Sequence, residues 1–164
     1  MLWRRAGGGL AGSVWLPEEL QVALEADADE HDPCETGGML IGYPSEQSLV
    51  ITRLVPGGPG AIREHARFEP DGEWQQAELE RVYAESGRIE TYLGDWHSHP
   101  IGVARPSRRD RRTAARIARD RHARCRNPLT LIAGKSWRDG WEFAPFIYRG
   151  WRGFLKVSLE TYRR

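Results

Sequence analysis

His97 and His99 stand two residues apart in the run Tyr92-Leu93-Gly94-Asp95-Trp96-His97-Ser98-His99-Pro100. In a strand alternate side chains share a face, so both imidazoles point the same way from backbones about 7 Å apart. They can converge on one cation. Pro100 ends the strand, because it has no N–H to give to a ladder. Taken alone, the pair fits a polar sheet edge as well as a metal site.

Asp110 changes that balance. Ser107-Arg108-Arg109-Asp110 reads as a capping box that opens a helix. Ala114, Ile117 and Ala118 follow Asp110 at i+4, i+7 and i+8, so the carboxylate heads the apolar stripe that faces the sheet. A buried carboxylate must neutralise, pair or bind a cation. Two histidines and one aspartate suit zinc with an open fourth position, the arrangement of catalytic sites. Such chemistry also needs a group to carry a proton. Glu35 is the candidate: it precedes Thr36-Gly37-Gly38 and the first apolar run, where the two glycines let backbones approach closely. Nothing local separates it from the other acids.

These pieces together resemble the JAMM (MPN-plus) metallopeptidase family. The resemblance rests on Glu35-Thr36-Gly37-Gly38, then His97-Ser98-His99-Pro100, then six residues and Ser107-Arg108-Arg109-Asp110. It implies His97, His99 and Asp110 as zinc ligands, Glu35 as general base and Ser107 as a donor to the oxyanion. It implies hydrolysis of a peptide or isopeptide bond after the C-terminus of a ubiquitin-like protein, for maturation or deconjugation. The short single-domain form is similar to bacterial members, which accompany E1- and E2-like enzymes, including in anti-phage operons. Between Asp110 and Pro128 there is no room for the second insertion of some eukaryotic deubiquitinases, so linkage-specific cleavage is not expected. The same motif also fits a peptidase that releases an amino acid such as cysteine from a sulfur-carrier protein.

The elements that must hold these residues alternate. Pro17-Glu18-Glu19-Leu20 opens a helix that fades near Asp32-Pro33. Gly38 to Tyr43 and Leu49 to Val55 read as strands joined by a Pro-Ser turn, and residues 56–60 as a loop. A helix is expected from Gly72 to Ser86, closed by Gly87. Strand Thr91 to His99 follows, then a helix from Ser107 to about Arg124. Leu129 to Ala133, Trp141 to Tyr148 and Phe154 to Leu159 complete the sheet. The fold class is therefore α/β, a mixed central sheet flanked by helices; by resemblance it is JAMM/MPN-like, with cytidine-deaminase-like layering. Residues 1–12, glycine-rich, read as a flexible arm, and 13–164 as one domain.

A length of 164 residues with 40% hydrophobic and 29% charged residues suits one globular domain. No apolar run approaches the ~18 residues of a membrane span, and the first residues lack the apolar stretch of a signal peptide. A cytoplasmic location with no membrane partner is expected. Cys34 and Cys125 lie too far apart in sequence for a CxxC site and read as small core residues. Trp96, alternating away from the histidines, reads as core behind the site; Trp74, Trp137, Trp141 and Trp151 read as core and edge packing. Phe68-Glu69-Pro70-Asp71 is expected to border a substrate groove. A nucleoside deaminase is excluded, since Pro33-Cys34-Glu35-Thr36-Gly37 lacks the second cysteine such a site needs.

Residues 105–126 carry ten arginines against two aspartates. They read as a solvated helix face, with nucleic acid or an acidic protein as alternative partners of a scaffold function. Nucleic acid is not expected as a partner on sequence grounds.

Overall fold

The computed structural model describes residues 12–136 and 140–164. The arm expected at 1–12, apart from Gly12, and Trp137 lie outside the described residues. Gly12 itself donates its amide to Gln47 O at 2.7 Å.

Among the described residues, ten strands, three α-helices and a short 3₁₀ turn follow one another. They are β1 (Ser13–Pro17), α1 (Glu18–His31), β2 (Gly37–Ser45), β3 (Ser48–Pro56), β4 (Ile62–Glu64), β5 (Arg67–Glu69), α2 (Gly72–Glu85), β6 (Thr91–His99), α3 (Arg108–Arg119), β7 (Leu129–Ser136), β8 (Gly140–Tyr148), the turn Gly150–Arg152, β9 (Phe154–Lys156) and β10 (Ser158–Tyr162). Eight strands form one mixed sheet in the order β10-β1-β3-β2-β6-β7-β8-β9. The mixed α/β architecture agrees with the expectation from sequence.

The single strand expected at Phe154 to Leu159 is instead two. β9 pairs with β8 at one edge, while β10 pairs in parallel with β1 at the other. Only Val157 separates them, and its amide donates to Pro145 O at 3.1 Å. The sheet must therefore curl until its edges meet, which leaves little unpaired edge.

The sheet has two apolar faces because its strands alternate. Leu40, Trp96 and Leu131 pack with Leu24 and Ala28 of α1. Ile41 and Val55 pack with Val82 of α2, backed by Trp74 and Leu79. Trp96 thus lies in the core behind the histidines, 2% exposed. Glu18 and Glu19 favour the start of α1 through the helix dipole. The Asp71 carboxylate caps α2 by accepting from the Trp74 amide at 3.2 Å, and Gly87, at φ 67°, follows its end.

The strand β1 is not among the elements read in the sequence, and three further differences stand out. The turn between β2 and β3 falls at Glu46 and Gln47, with Pro44 and Ser45 still paired to β3. α3 stops at Arg119 rather than near Arg124. The Asp120 amide closes it onto Arg116 O and Ile117 O, and Arg124 sits at φ 49°. Past Ala118 no large apolar side chain remains at helical spacing to hold a further turn on the sheet. The third difference is a hairpin, β4–β5, in the stretch between β3 and α2.

Candidate metal centre

β6 carries both histidines toward the face occupied by α2 and α3. His97 lies between Gly37 of β2 and Ile132 of β7 in the register of the sheet. Gly37 is required there, since a Cβ would lie 2.3 Å from Trp96 O. α3 begins beside the end of β6 and brings Asp110 across. His97 Nε2 is 3.0 Å from His99 Nε2 and 3.1 Å from Asp110 Oδ1. His99 Nε2 is 3.7 Å from Asp110 Oδ2. All three side chains are largely buried.

The surroundings orient each group. Nδ1–H of His99 donates to Val103 O at 3.1 Å. That fixes the tautomer and turns the Nε2 lone pair of the neutral ring toward the other two groups. Burial, together with the neighbouring His97, lowers the affinity of His99 for a second proton. The capping box of α3 performs a second task. Ser107 N donates to Asp110 Oδ2, and Ser107 Oγ accepts from Asp110 N at 3.2 Å. Burial opposes ionisation of Asp110, but the His97 hydrogen bond and charge and the two Ser107 bonds outweigh it, holding the carboxyl well below the usual range.

Donors of this kind fit a zinc ion. Ligands at about 2.0 Å from one ion in tetrahedral geometry stand roughly 3.3 Å from each other. The three observed separations bracket that figure. No other grouping of three such donors occurs among the described residues.

Glu35 reaches the same place from β2. Ser98 N donates to Thr36 O and Thr36 N donates to Ser98 Oγ, so the β2–β6 register continues past Gly37. Glu35, the residue before Thr36, lines the same groove as His97 and Asp110. Burial raises its carboxyl above the ordinary value; His97 opposes the rise and Asp110 adds to it.

Sequence reading missed the hairpin β4–β5, which roofs this site. Glu64 O accepts from the Glu35 amide at 2.8 Å, and Ala66 O accepts from the Arg109 guanidinium at 3.0 Å. The hairpin therefore spans from the glutamate to the helix that carries Asp110. Its Phe68 packs over Gly37 and Gly57, either of which would clash with it through a Cβ. Two strands of three residues each, Ile62–Glu64 and Arg67–Glu69, give no period long enough to read.

A groove of about 1500 Å³ runs from Glu35, His97 and Asp110 along β6 between α2 and α3. Leu79, Tyr83 and Ile117 line its walls, and Asp95 lies on its floor. Phe68, Glu69 and Pro70 border it as the sequence suggested. Asp71 does not, being spent on the α2 cap and on the Gly60 amide. Cys34 is half-buried.

Comparison with known proteins agrees with this geometry. Residues 17–144 match the family described as prokaryotic homologs of the JAB domain. The probable metalloprotease y4qB of Sinorhizobium fredii is 42% identical over 121 residues, 73% of this chain and 74% of that protein. A protein named CD-NTase/cGAS isopeptidase from Vibrio cholerae is 33% identical over 108 residues, 65% of each chain. The solution structure of DSY2949 from Desulfitobacterium hafniense superposes with a TM-score of 0.72 at 21% identity, covering 92% of this chain and 94% of that one, which speaks to fold alone. With a matched domain that spans both histidines, Asp110 and Glu35, the chain belongs to the prokaryotic JAB-domain family and is a metallopeptidase of that family.

Proposed function

We propose that this chain is a zinc-dependent peptidase or isopeptidase that cuts the bond after the C-terminal tail of a ubiquitin-like protein, maturing it or releasing it from a conjugate. The observation that supports the reading is the triangle of His97, His99 and Asp110, with Glu35 lining the same groove. The isopeptidase names of the Vibrio cholerae and Escherichia coli relatives support the substrate class. Activating and conjugating enzymes of the same pathway, as in an anti-phage operon, are its expected companions.

His97, His99 and Asp110 hold the ion. Bound zinc supplies a polarised carbonyl and water whose pKa is lowered to about 7. Glu35 takes a proton from the attacking water and returns it to the leaving nitrogen. A carboxyl raised by burial suits a group that must hold a proton between two steps. The Ser107 hydroxyl accepts from the Asp110 amide, so its own hydrogen is free to donate to the oxyanion. An extended tail fits the groove along β6. The hairpin β4–β5, a separate two-stranded sheet, offers an edge against which a tail can add as a strand.

The test uses a panel of bacterial ubiquitin-like proteins, each with a C-terminal reporter extension, incubated with zinc-loaded protein and with chelator. Cleavage by wild type, loss of at least about 100-fold in Glu35→Gln, and unchanged zinc content in the variant are expected. Equal rates in both proteins sink Glu35 as the base. Cleavage that survives full chelation sinks the metal.

A further inference from the structure

The arginines between 105 and 126 form the densest run of like charge in the chain. Elsewhere some arginines find acids, though Arg63, Arg88, Arg149 and Arg152 do not among the described residues: Arg53 meets Glu85 and Glu90, Arg67 meets Glu64 and Glu69, and Arg81 meets Glu78 and Glu85. At the C-terminus Arg163 and Arg164 meet Glu18 and Glu19. None of the ten arginines from Arg105 to Arg126 forms an ion pair with a described residue. The two acids in their midst are committed, Asp110 to the metal triangle and Asp120 to the chain reversal after α3.

The geometry of α3 concentrates this charge. Arg108, Arg112, Arg116 and Arg119 recur at i, i+4, i+8 and i+11, one exposed stripe roughly 16 Å long. Like charges at i, i+4 oppose the helix, so the stripe carries a cost, offset in part at the last turn where Arg116 and Arg119 meet the negative end of the helix dipole. A membrane does not suit it, because the apolar side of α3 is turned to the sheet and the exposed side carries only arginines and Ala115.

An exposed aromatic ring lies in a turn that reaches α3. The turn Gly150-Trp151-Arg152-Gly153 is bracketed by glycines at φ 63° and 75°. It holds Trp151 89% exposed, with the Arg152 guanidinium 5.1 Å from its ring centre. A Cβ on Gly153 would lie 3.0 Å from the Arg111 guanidinium, so this turn and α3 touch. Guanidinium groups matched to phosphates, next to an indole open for stacking, are the two components of sequence-tolerant single-strand binding.

We propose that the exposed face of α3 and the Trp151 turn form a binding surface for single-stranded nucleic acid, separate from the metal centre and independent of the peptidase reading. Phosphates pair along the arginine stripe and a base stacks on Trp151. The sequence alone favours a solvated helix face over these partners, because it shows neither the missing ion pairs nor the position of the ring.

Fluorescence anisotropy of a fluorescein-labelled 20-mer of deoxythymidine tests this, using the intact chain at several salt concentrations. Binding at low salt is expected, weakening steeply as salt rises. The triple substitution R112A/R116A/R119A should lower the salt slope by roughly two, at about 0.7 for each phosphate that is no longer neutralised. Trp151→Ala should weaken binding by roughly fivefold or more, and it lies outside the helix should the triple variant lose structure. Absence of binding at low salt overturns the proposal. So does equal displacement by poly-glutamate of matched charge, which identifies an acidic-protein surface, or unchanged affinity in both variants.

Discussion

Ser98 and Thr36 grip one another through two hydrogen bonds. The Thr36 amide donates to Ser98 Oγ at 3.0 Å, and the Ser98 amide donates to Thr36 O at 2.8 Å. Both residues are fully buried. The Thr36 hydroxyl donates to Asp27 of α1 at 2.9 Å and accepts from Arg63 of the hairpin at 3.1 Å. The residue next to Glu35 is thus fixed from three elements at once, and the middle residue between the histidines has a structural task of its own.

Ser98→Ala leaves the Thr36 amide buried without an acceptor. A loss of about 1–3 kcal/mol is expected from such an orphaned donor, read by urea unfolding of the metal-free protein. Zinc stoichiometry should be retained, since no ligand changes. A variant as stable as wild type would show that the clamp adds nothing.

Asp110→Ala removes one vertex of the triangle and half of the capping box. Zinc content after dialysis should fall from one ion per chain toward none, measured by atomic emission. Arg112→Ala, on the outer face of the same helix, should leave it unchanged. Retained zinc in Asp110→Ala would remove Asp110 from the ligand set.

Gly37→Ala and Gly72→Ala should behave oppositely. A Cβ at Gly37 lies 2.3 Å from Trp96 O, against backbone that cannot move without opening the β2–β6 ladder. The expected cost is about 3 kcal/mol or more. A Cβ at Gly72 meets nothing within 4 Å at the start of α2, so alanine there should be neutral or stabilising by up to about 1 kcal/mol. Thermal unfolding of both variants decides the matter.

Asp95 supplies a pH signature. Burial raises its carboxyl to about 6, against hydrogen bonding from Tyr92 and the nearby charges of His97 and Arg116. An acid with a raised folded-state pKa binds more protons folded than unfolded, so its ionisation lowers stability as pH climbs from about 4 to 6. Asp95→Asn, which can still accept from Tyr92, should be more stable than wild type by about 1–3 kcal/mol at pH 7.5. At pH 4 the two should converge. Urea titrations in chelator give the comparison, and equal stabilities at pH 7.5 would contradict it.

Cys125 should be chemically quiet. Its Sγ faces Leu93 O at 3.7 Å, and burial, with Asp95 nearby, pushes the thiol up to about 12. The reactive thiolate is therefore scarce at pH 8. Iodoacetamide at pH 8 should leave Cys125 unlabelled in native protein and modify it in guanidinium, as read by peptide mass spectrometry. Rapid labelling of the native thiol would refute this.

The sequence by itself determined the parts of the site that depend on short-range periodicity. Two histidines at i, i+2 on a strand and an aspartate heading the apolar stripe of a helix follow from backbone geometry within a few residues. The three helices and the strand Thr91–His99 were legible for the same reason. Only tertiary structure decided what depends on pairing between distant segments. Glu35 differs from other acids because Thr36 meets Ser98 across 62 residues, and no local window holds that register. The hairpin over the site is too short to show a period, and the meeting of the sheet edges rests on β10 finding β1. The arginines of α3 are visible in the sequence. That none of them meets a described acid in an ion pair, and that the Trp151 turn touches α3 through Arg111, is set by where the chain places each group in space.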